Sequence, residues 1–343
     1  MVNSPRPQGD RCPALDRRPR PTDTWGPPAV HLRVGRSPPA APTVDVVSPT
    51  APRVIAVVVT HRRPGLLAQG LAALAAQDRR PDHLVVVDNA DDPHTRDVVE
   101  ECDLPLTYLP SATNLGGAGG FAYGVLTARA LGADLVWMAD DDGRPATTST
   151  LTRLLRAAAD EDLEVVAPLV LDVDDPSRLA FGLRLGTRRA AVRTDLPGTG
   201  VVHGVANPFN GMLLTTRALD AVGVPDPRLV VRGDEVELHR RLVRSGLPFG
   251  TCLDATWLHP SGTRDVVPLL GGSVPVYVPA DPERARVAYR NLGWLTSQPG
   301  MRWRRWPDEA RYAWYHLVVR RDPEAWREWR ERSAAGRREQ FVS

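Results

Sequence analysis

The chain contains no lysine; all 43 of its basic Lys/Arg-type side chains are arginine. GC-rich codon usage produces the same pattern, so the arginines alone designate no partner, whatever chemistry a guanidinium offers. Cysteine is also scarce. Cys12, Cys102 and Cys252 are odd in number and far apart, which gives neither a disulfide framework nor a zinc pattern and fits a reducing, cytoplasmic setting. No apolar run approaches the ~18 residues of a membrane span, and the first residues lack the apolar core of a signal peptide. The expectation is a protein that neither leaves by that route nor crosses a bilayer. An apolar fraction of 42% beside a charged fraction of 24% leaves ample material for a buried core.

That material is unevenly spread. Residues 1–52 are rich in Pro and Arg, with Pro27-Pro28 and Pro38-Pro39, and cannot offset their ordering entropy by burial. They read as a disordered tail, or as translated sequence upstream of the true start. From residue 53 the pattern changes. Val54-Ile55-Ala56-Val57-Val58-Val59 is a continuous apolar run, as in a strand covered on both faces. Pro64 opens a helix with Leu66, Leu67, Leu71 and Leu74 at helical spacing. Strand and helix signals then alternate: Leu84–Val87 ending on Asp88-Asn89, a helix near Val98, a strand over Leu104–Leu109, a Gly-rich loop at Asn114–Gly120, a helix to about Ala130, and Leu135–Met138 ending in Asp140-Asp141-Asp142. Such alternation predicts an α/β fold with an open, mostly parallel sheet, whose ligands sit beyond the carboxyl ends of the strands. The α/β unit is expected over 53–275, with irregular hairpins over 174–206. A helical, Trp- and Arg-rich segment is expected over 276–343.

Asp88 and the Asp triplet both fall at strand carboxyl ends. Carboxylates at i and i+2 on an extended segment share a face and can hold one hard divalent cation, which can bridge phosphate oxygens; the bland alternative is a polar turn. Asp88 can read a uracil or ribose, or serve as a turn or helix cap. Gly117-x-Gly119-x-x-Ala122 matches a loose dinucleotide fingerprint. That fingerprint belongs after a first strand, and here earlier strands have passed, so a dehydrogenase is disfavoured. Gly233-Asp234-Glu235-Val236-Glu237 precedes an amphipathic helix. Its acids suit general-base chemistry or simply the helix macrodipole. His259, in Trp257-Leu258-His259-Pro260, can be a further metal ligand or a structural histidine.

Taken in order, these segments resemble glycosyltransferase family 2. The resemblance is carried by Val-Val-Val-Thr60-His61-Arg62-Arg63-Pro64 (with His61 and Arg62 in place of the more usual Tyr-Asn), Val-Val-Asp88-Asn89, Asn114-Leu-Gly-Gly, the Asp triplet, Gly-Asp-Glu-Val-Glu and Trp-Leu-His, and more weakly by Tyr289-Arg290-Asn291-Leu292. In detail the chain is most similar to actinobacterial galactofuranosyltransferases that start cell-wall galactan. The resemblance implies a GT-A fold and inversion by direct displacement. Asp140 and Asp142, with His259, would hold Mn²⁺ or Mg²⁺ against the donor diphosphate. Thr60, Asp88, Asn114, Gly116, Gly117 and Asp141 would line the nucleotide-sugar pocket. Glu235 would be the base, with Asp234 or Glu237 orienting the acceptor and Trp257 beside it. The family's base is more often Asp, so the choice between Glu235 and Asp234 stays open.

The implied reaction moves galactofuranose from a UDP-sugar to a polyprenyl-diphosphate-linked glycan acceptor in cell-wall galactan synthesis. A rhamnosyltransferase using dTDP-rhamnose shares the frame, and a non-catalytic sugar-nucleotide-binding scaffold is the alternative of another class. Six of nine tryptophans (294, 303, 306, 314, 326 and 329) lie in the C-terminal segment among arginines. That mixture suits peripheral contact with an anionic membrane at the inner face of the plasma membrane, or helical packing with Arg facing water. Nucleic acid is not an expected partner, because Glu324, Glu328 and Glu331 interrupt the basic face.

Overall fold

The computed structural model describes residues 51–341 apart from 187, 263, 264 and 273. The expected tail over 1–52 therefore lies outside the described residues, save for its last two. The α/β part runs β1 (Val54–Thr60), α1 (Pro64–Ala75), β2 (His83–Asp88), α2 (Pro93–Glu100), β3 (Leu106–Pro110), α3 (Gly116–Ala130), β4 (Leu135–Asp140), β5 (Arg144–Pro145), α4 (Thr150–Asp160) and β6 (Val165–Asp172). It continues through β7 (Arg178–Leu185), β8 (Arg188–Val192), β9 (Val201–His203), β10 (Asn210–Thr215), α5 (Thr216–Val222), α6 (Asp234–Ser245) and β11 (Phe249–His259). The main path of the sheet is β3-β2-β1-β4-β10-β6-β11-β5. β1 to β4 are mutually parallel, β10 enters antiparallel beside β4, and β6 and β11 run parallel to each other.

The unbroken apolar run of β1 has a direct cause. Val54, Ala56 and Val58 pack with Leu67, Leu71 and Leu74 of α1 and Leu151 and Leu154 of α4. Ile55, Val57 and Val59 face the other way, onto Phe121 and Val125 of α3 and Leu238 and Leu242 of α6. A strand sandwiched between two helical layers has no solvent side to alternate with. Leu66 is the exception to the helical stripe expected for α1. It is exposed, while Gly70 takes a buried position.

The glycine run expected as a loop is instead the first turns of α3. A Cβ on Gly120 would lie 2.6 Å from a Val59 methyl, and one on Gly124 would lie 2.4 Å from a Val57 methyl. These glycines let the helix backbone settle onto β1. β11 is one strand whose register against β6 shifts between Cys252 and Thr256.

After β11 comes a hairpin, β12 (Val266–Leu269) and β13 (Val274–Tyr277), which the residue pattern did not announce. Then follow α7 (Pro282–Leu295), α8 (Arg305–Ala313), a π-helical turn over Trp314–Val319, and α9 (Pro323–Arg337). Helices α7 and α9 touch backbone to backbone. A Cβ on Gly293 would sit 2.0 Å from the Ser333 carbonyl oxygen, so only hydrogen fits at that crossing. The tryptophans divide: Trp294 and Trp329 are buried, whereas Trp303, Trp306 and Trp314 are exposed.

Candidate active site

The carboxyl end of β4 delivers Asp140, Asp141 and Asp142, each offering a carboxylate oxygen within 4.8 Å of the others. Asp141 turns toward β1. It is buried and accepts from the Thr60 hydroxyl at 2.9 Å, the His61 amide at 3.3 Å and the Arg63 guanidinium at 3.0 Å. Asp142 lies 2.9 Å from Nε2 of His259 and 3.1 Å from Arg63. The short ladder between β5 and β11 brings His259 here, since Leu258 pairs with Arg144 two residues past the triplet. The other ring nitrogen, Nδ1, lies 2.6 Å from the Pro260 carbonyl oxygen. Donation from Nδ1 there orients the ring with Nε2 facing Asp142.

Electrostatics describe the same cluster. Burial first, then the charges of Asp142 and Asp141, push the Asp140 carboxyl up to about 7. Burial alone would depress the His259 imidazole, but its bond to Asp142 and the charge of that group leave it raised. A hard cation would relieve this like-charge crowding. The oxygens and the oriented imidazole are the donor types divalent ions accept, so the residues present fit such a group.

The second acidic pair opens α6. Asp234 is buried, and burial followed by the neighbouring Glu235 charge raises its carboxyl well above the ordinary range. The two side chains are hydrogen-bonded. Glu235 is half-buried, accepts from the Gly233 amide at 2.8 Å and lies 3.9 Å from Arg232. Asp234 looks toward α3: a Cβ on Gly117 would lie 3.9 Å from its Oδ2.

Other expected residues occupy different surroundings. Asp88 has no exposed surface, and its oxygens accept from the amides of Ala90 and Asp92 and from the Tyr108 hydroxyl at 2.9, 2.8 and 2.7 Å. It holds the turn after β2. Thr60 spends its hydroxyl on Asp141. Asn114 is exposed and accepts from the Gly116 amide at 2.8 Å, just before α3 begins. Gly116 is left-handed, with φ 69°, because the Val230 carbonyl crosses where a side chain would stand.

Trp257 corrects an expectation. It is fully buried against Trp137 and under Gly143, where a Cβ would be 2.4 Å from the indole nitrogen. It supports the triplet from beneath and presents no surface to an acceptor. Glu237 likewise points away, paired with Arg241 at 2.6 Å. Arg63 was missed. It bridges Asp141 and Asp142, and its signal was a basic residue just past the β1 end, facing the β4 end across the parallel pair. Arg232 was missed too; its guanidinium lies 4.1 Å over the Tyr277 ring of the hairpin.

An open, mostly parallel sheet that gathers aspartates at the end of its fourth strand is the GT-A arrangement of glycosyltransferases. Residues 55–212 match the model of glycosyl transferase family 2. The chain is 55% identical over 295 residues to galactofuranosyltransferase GlfT1 of Mycolicibacterium smegmatis, covering 84% of this chain and 97% of that one. It is 50% identical over 293 residues to galactofuranosyltransferase GlfT1 of Mycobacterium tuberculosis, covering 84% and 96%. The chain belongs to glycosyltransferase family 2. Among solved structures, S. aureus TarS 1–349 in complex with UDP-GlcNAc superposes with a TM-score of 0.55 at 14% identity, over 84% of this chain and 82% of that one. GalNAc-T7 with UDP, GalNAc and Mn²⁺ gives 0.52 at 12%, over 82% and 54%. At such identities the likeness is one of fold.

Proposed function

We propose that this glycosyltransferase transfers galactofuranose from UDP-galactofuranose, with inversion, to a polyprenyl-diphosphate-linked glycan acceptor in cell-wall galactan synthesis. The observation that carries the chemistry is the junction of three carboxylates with His259 at the end of β4. The sugar rests on the identity to galactofuranosyltransferases across nearly their whole length. Residues 53–275 form the catalytic unit in this reading, and 276–341 a helical appendage to it.

A divalent ion, Mn²⁺ or Mg²⁺, held by Asp140 and Asp142 with His259, would supply charge neutralisation for the departing diphosphate. Asp141, fixed by Thr60 and Arg63, keeps the triplet in register, and the segment Asn114–Gly117 borders the donor. Burial and the Glu235 charge raise the Asp234 carboxyl well above the ordinary range, which disfavours Asp234 as the base and favours Glu235 in this reading. Glu235 takes the proton of the acceptor hydroxyl as its oxygen bonds to the anomeric carbon. The bond from that carbon to the diphosphate breaks on the opposite face, and the diphosphate leaves with the electron pair. Metal-dependent binding and hydrolysis across UDP-galactofuranose, UDP-galactopyranose, UDP-GlcNAc and dTDP-rhamnose tests this reading. UDP-galactofuranose should be preferred. Preference for dTDP-rhamnose would make the enzyme a rhamnosyltransferase.

The same reading sets one face of the C-terminal segment against the inner leaflet of an anionic membrane. Trp303 and Trp306 are 70% and 68% exposed, and Trp314, Leu317, Val318 and Val319 continue that exposure along α8 and the turn after it. Exposed Arg302, Arg305, Arg320 and Arg321 flank them. The acids of the stretch are withdrawn, Asp308 pairing with Arg311 at 2.9 Å and Glu309 lying 4.0 Å from Arg330. Aromatic rings among cations suit an anionic headgroup layer. Among the described residues, no helix is long and apolar enough to span a membrane, so contact would be peripheral. The chain should float with phosphatidylglycerol vesicles at low salt and not with phosphatidylcholine ones. Trp303→Ala with Trp306→Ala should cost about tenfold or more in partitioning. Equal flotation with both lipids, or with neither, would reject the surface.

A further inference from the structure

The weakest part of the family resemblance, Arg290-Asn291 in α7, lies well away from the Asp triplet in sequence and has no role in the chemistry above. Both side chains are buried, at 7% and 1% exposure. The Asn291 amide nitrogen reaches three backbone carbonyl oxygens, those of Leu229 at 2.5 Å, Val231 at 3.0 Å and Arg232 at 2.7 Å. Its own carbonyl oxygen accepts from the Arg290 guanidinium at 3.2 and 3.1 Å. That guanidinium also donates to the carbonyl oxygens of Arg228 at 3.0 Å and Phe341 at 3.1 Å. Four carbonyls of one short segment, 228 to 232, are therefore held by two neighbouring side chains of a helix.

The segment needs holding. Val230, Arg232 and Gly233 have φ of 60°, 64° and 96°. The left-handed region is rarely occupied by a β-branched residue, and such a conformation persists only where the surroundings over-determine it. The strained stretch leads directly into Asp234 and Glu235. Its far side is pressed onto the start of α3, where the Val230 carbonyl accepts from the Ala118 amide at 3.1 Å and leaves Gly116 no room for a Cβ. The Gly233 backbone packs on α7 as well, since a Cβ there would lie 3.0 Å from Leu295 and 3.5 Å from Asn291.

We propose that Arg290 and Asn291 are positioning residues that clamp the segment 228–233 between α7 and α3 and so set where Asp234 and Glu235 stand. The proposal rests on the reading of those acids as the acceptor-activating pair. Side-chain donors meet the carbonyls of Arg228, Leu229, Val231 and Arg232, while that of Val230 is met by the Ala118 amide of α3. An amide serves at 291 because it presents two hydrogens without adding a cation beside the acids. Arg290 supplies reach, and it makes no ion pair among the described residues.

The test is Asn291→Asp, which keeps the shape of the side chain but turns an oxygen toward the three carbonyls. Two quantities are read on the full chain: hydrolysis of UDP-galactofuranose, with water in place of the acceptor hydroxyl, and calorimetric binding of UDP with Mn²⁺. A misplacement of about 1 Å costs on the order of 100-fold in turnover, so kcat should fall by about that factor. UDP affinity should stay within about twofold, because binding at the triplet does not pass through the clamp. Arg290→Gln, a second variant that spares the Asn291 amide, should lower kcat about tenfold with the same unchanged affinity. Wild-type turnover in both variants would overturn the proposal, as would a parallel loss of turnover and UDP affinity, or failure of both variants to fold. Glu235→Gln and Asp234→Asn run alongside: if both keep the wild-type rate, the reading of the acids has failed first, and the clamp has nothing to position.

Discussion

Asp142→Asn is expected to lower turnover on the order of 1,000-fold, because removing one carboxylate charge from the cluster forfeits several kcal/mol of stabilisation of the departing diphosphate. The asparagine keeps the volume of Asp142 and can still meet Arg63 or His259, so the fold should persist; the lost property is charge. Chelation of divalent ions from the wild-type chain should reproduce the loss, and Mn²⁺ should restore the wild type but not the variant. The measurement is donor hydrolysis in chelator, before and after added Mn²⁺. Full activity of the wild type in chelator would remove the cation from the mechanism. A scaffold that only binds nucleotide sugars would show no turnover to lose.

Glu235→Gln should cost between about 100- and 10,000-fold in kcat, the range general-base catalysis supplies, with donor affinity unchanged. Asp234→Asn should cost about tenfold or less, since the amide can still donate to Glu235. The reverse ranking would make Asp234 the base. The pH dependence separates the two further. Asp234 is raised well above the ordinary carboxylate range by burial and by Glu235, so at acidic pH it carries its proton and donates to Glu235. As pH rises through the raised value, Asp234 ionises, that donor bond is lost and two charges confront each other. The kcat profile should therefore have a descending limb that Asp234→Asn abolishes. A limb that survives the substitution belongs to another group.

Much of this protein was legible along the chain because the relevant forces are local. The apolar run at Val54–Val59 predicts a strand covered on both faces, and helices on either side of the sheet cover it. The Asp triplet falls where an apolar strand ends, and the acids of Gly233–Glu237 fall where an amphipathic helix begins. A residue's type announces what it can do, and its neighbours across the sheet decide what it does. Asp88 and Thr60 spend their oxygens inside the protein. Trp257 is enclosed by Trp137 and Gly143. The glycines of α3 answer the side chains of Val57 and Val59, a contact between elements separated by two other strands.

The sequence by itself determined the alternation of strands and helices, the strand ends at which acids gather, and the family. Only the tertiary structure decided which of those acids meet. His259 reaches Asp142 through the pairing of β11 with β5, Arg63 bridges two aspartates because β1 and β4 are adjacent and parallel, and Asn291 grips the segment before Asp234 because α7 folds back over it. Hydrophobic periodicity is a property of neighbours in sequence, whereas a site is made by long-range strand and helix contacts whose geometry no single segment contains.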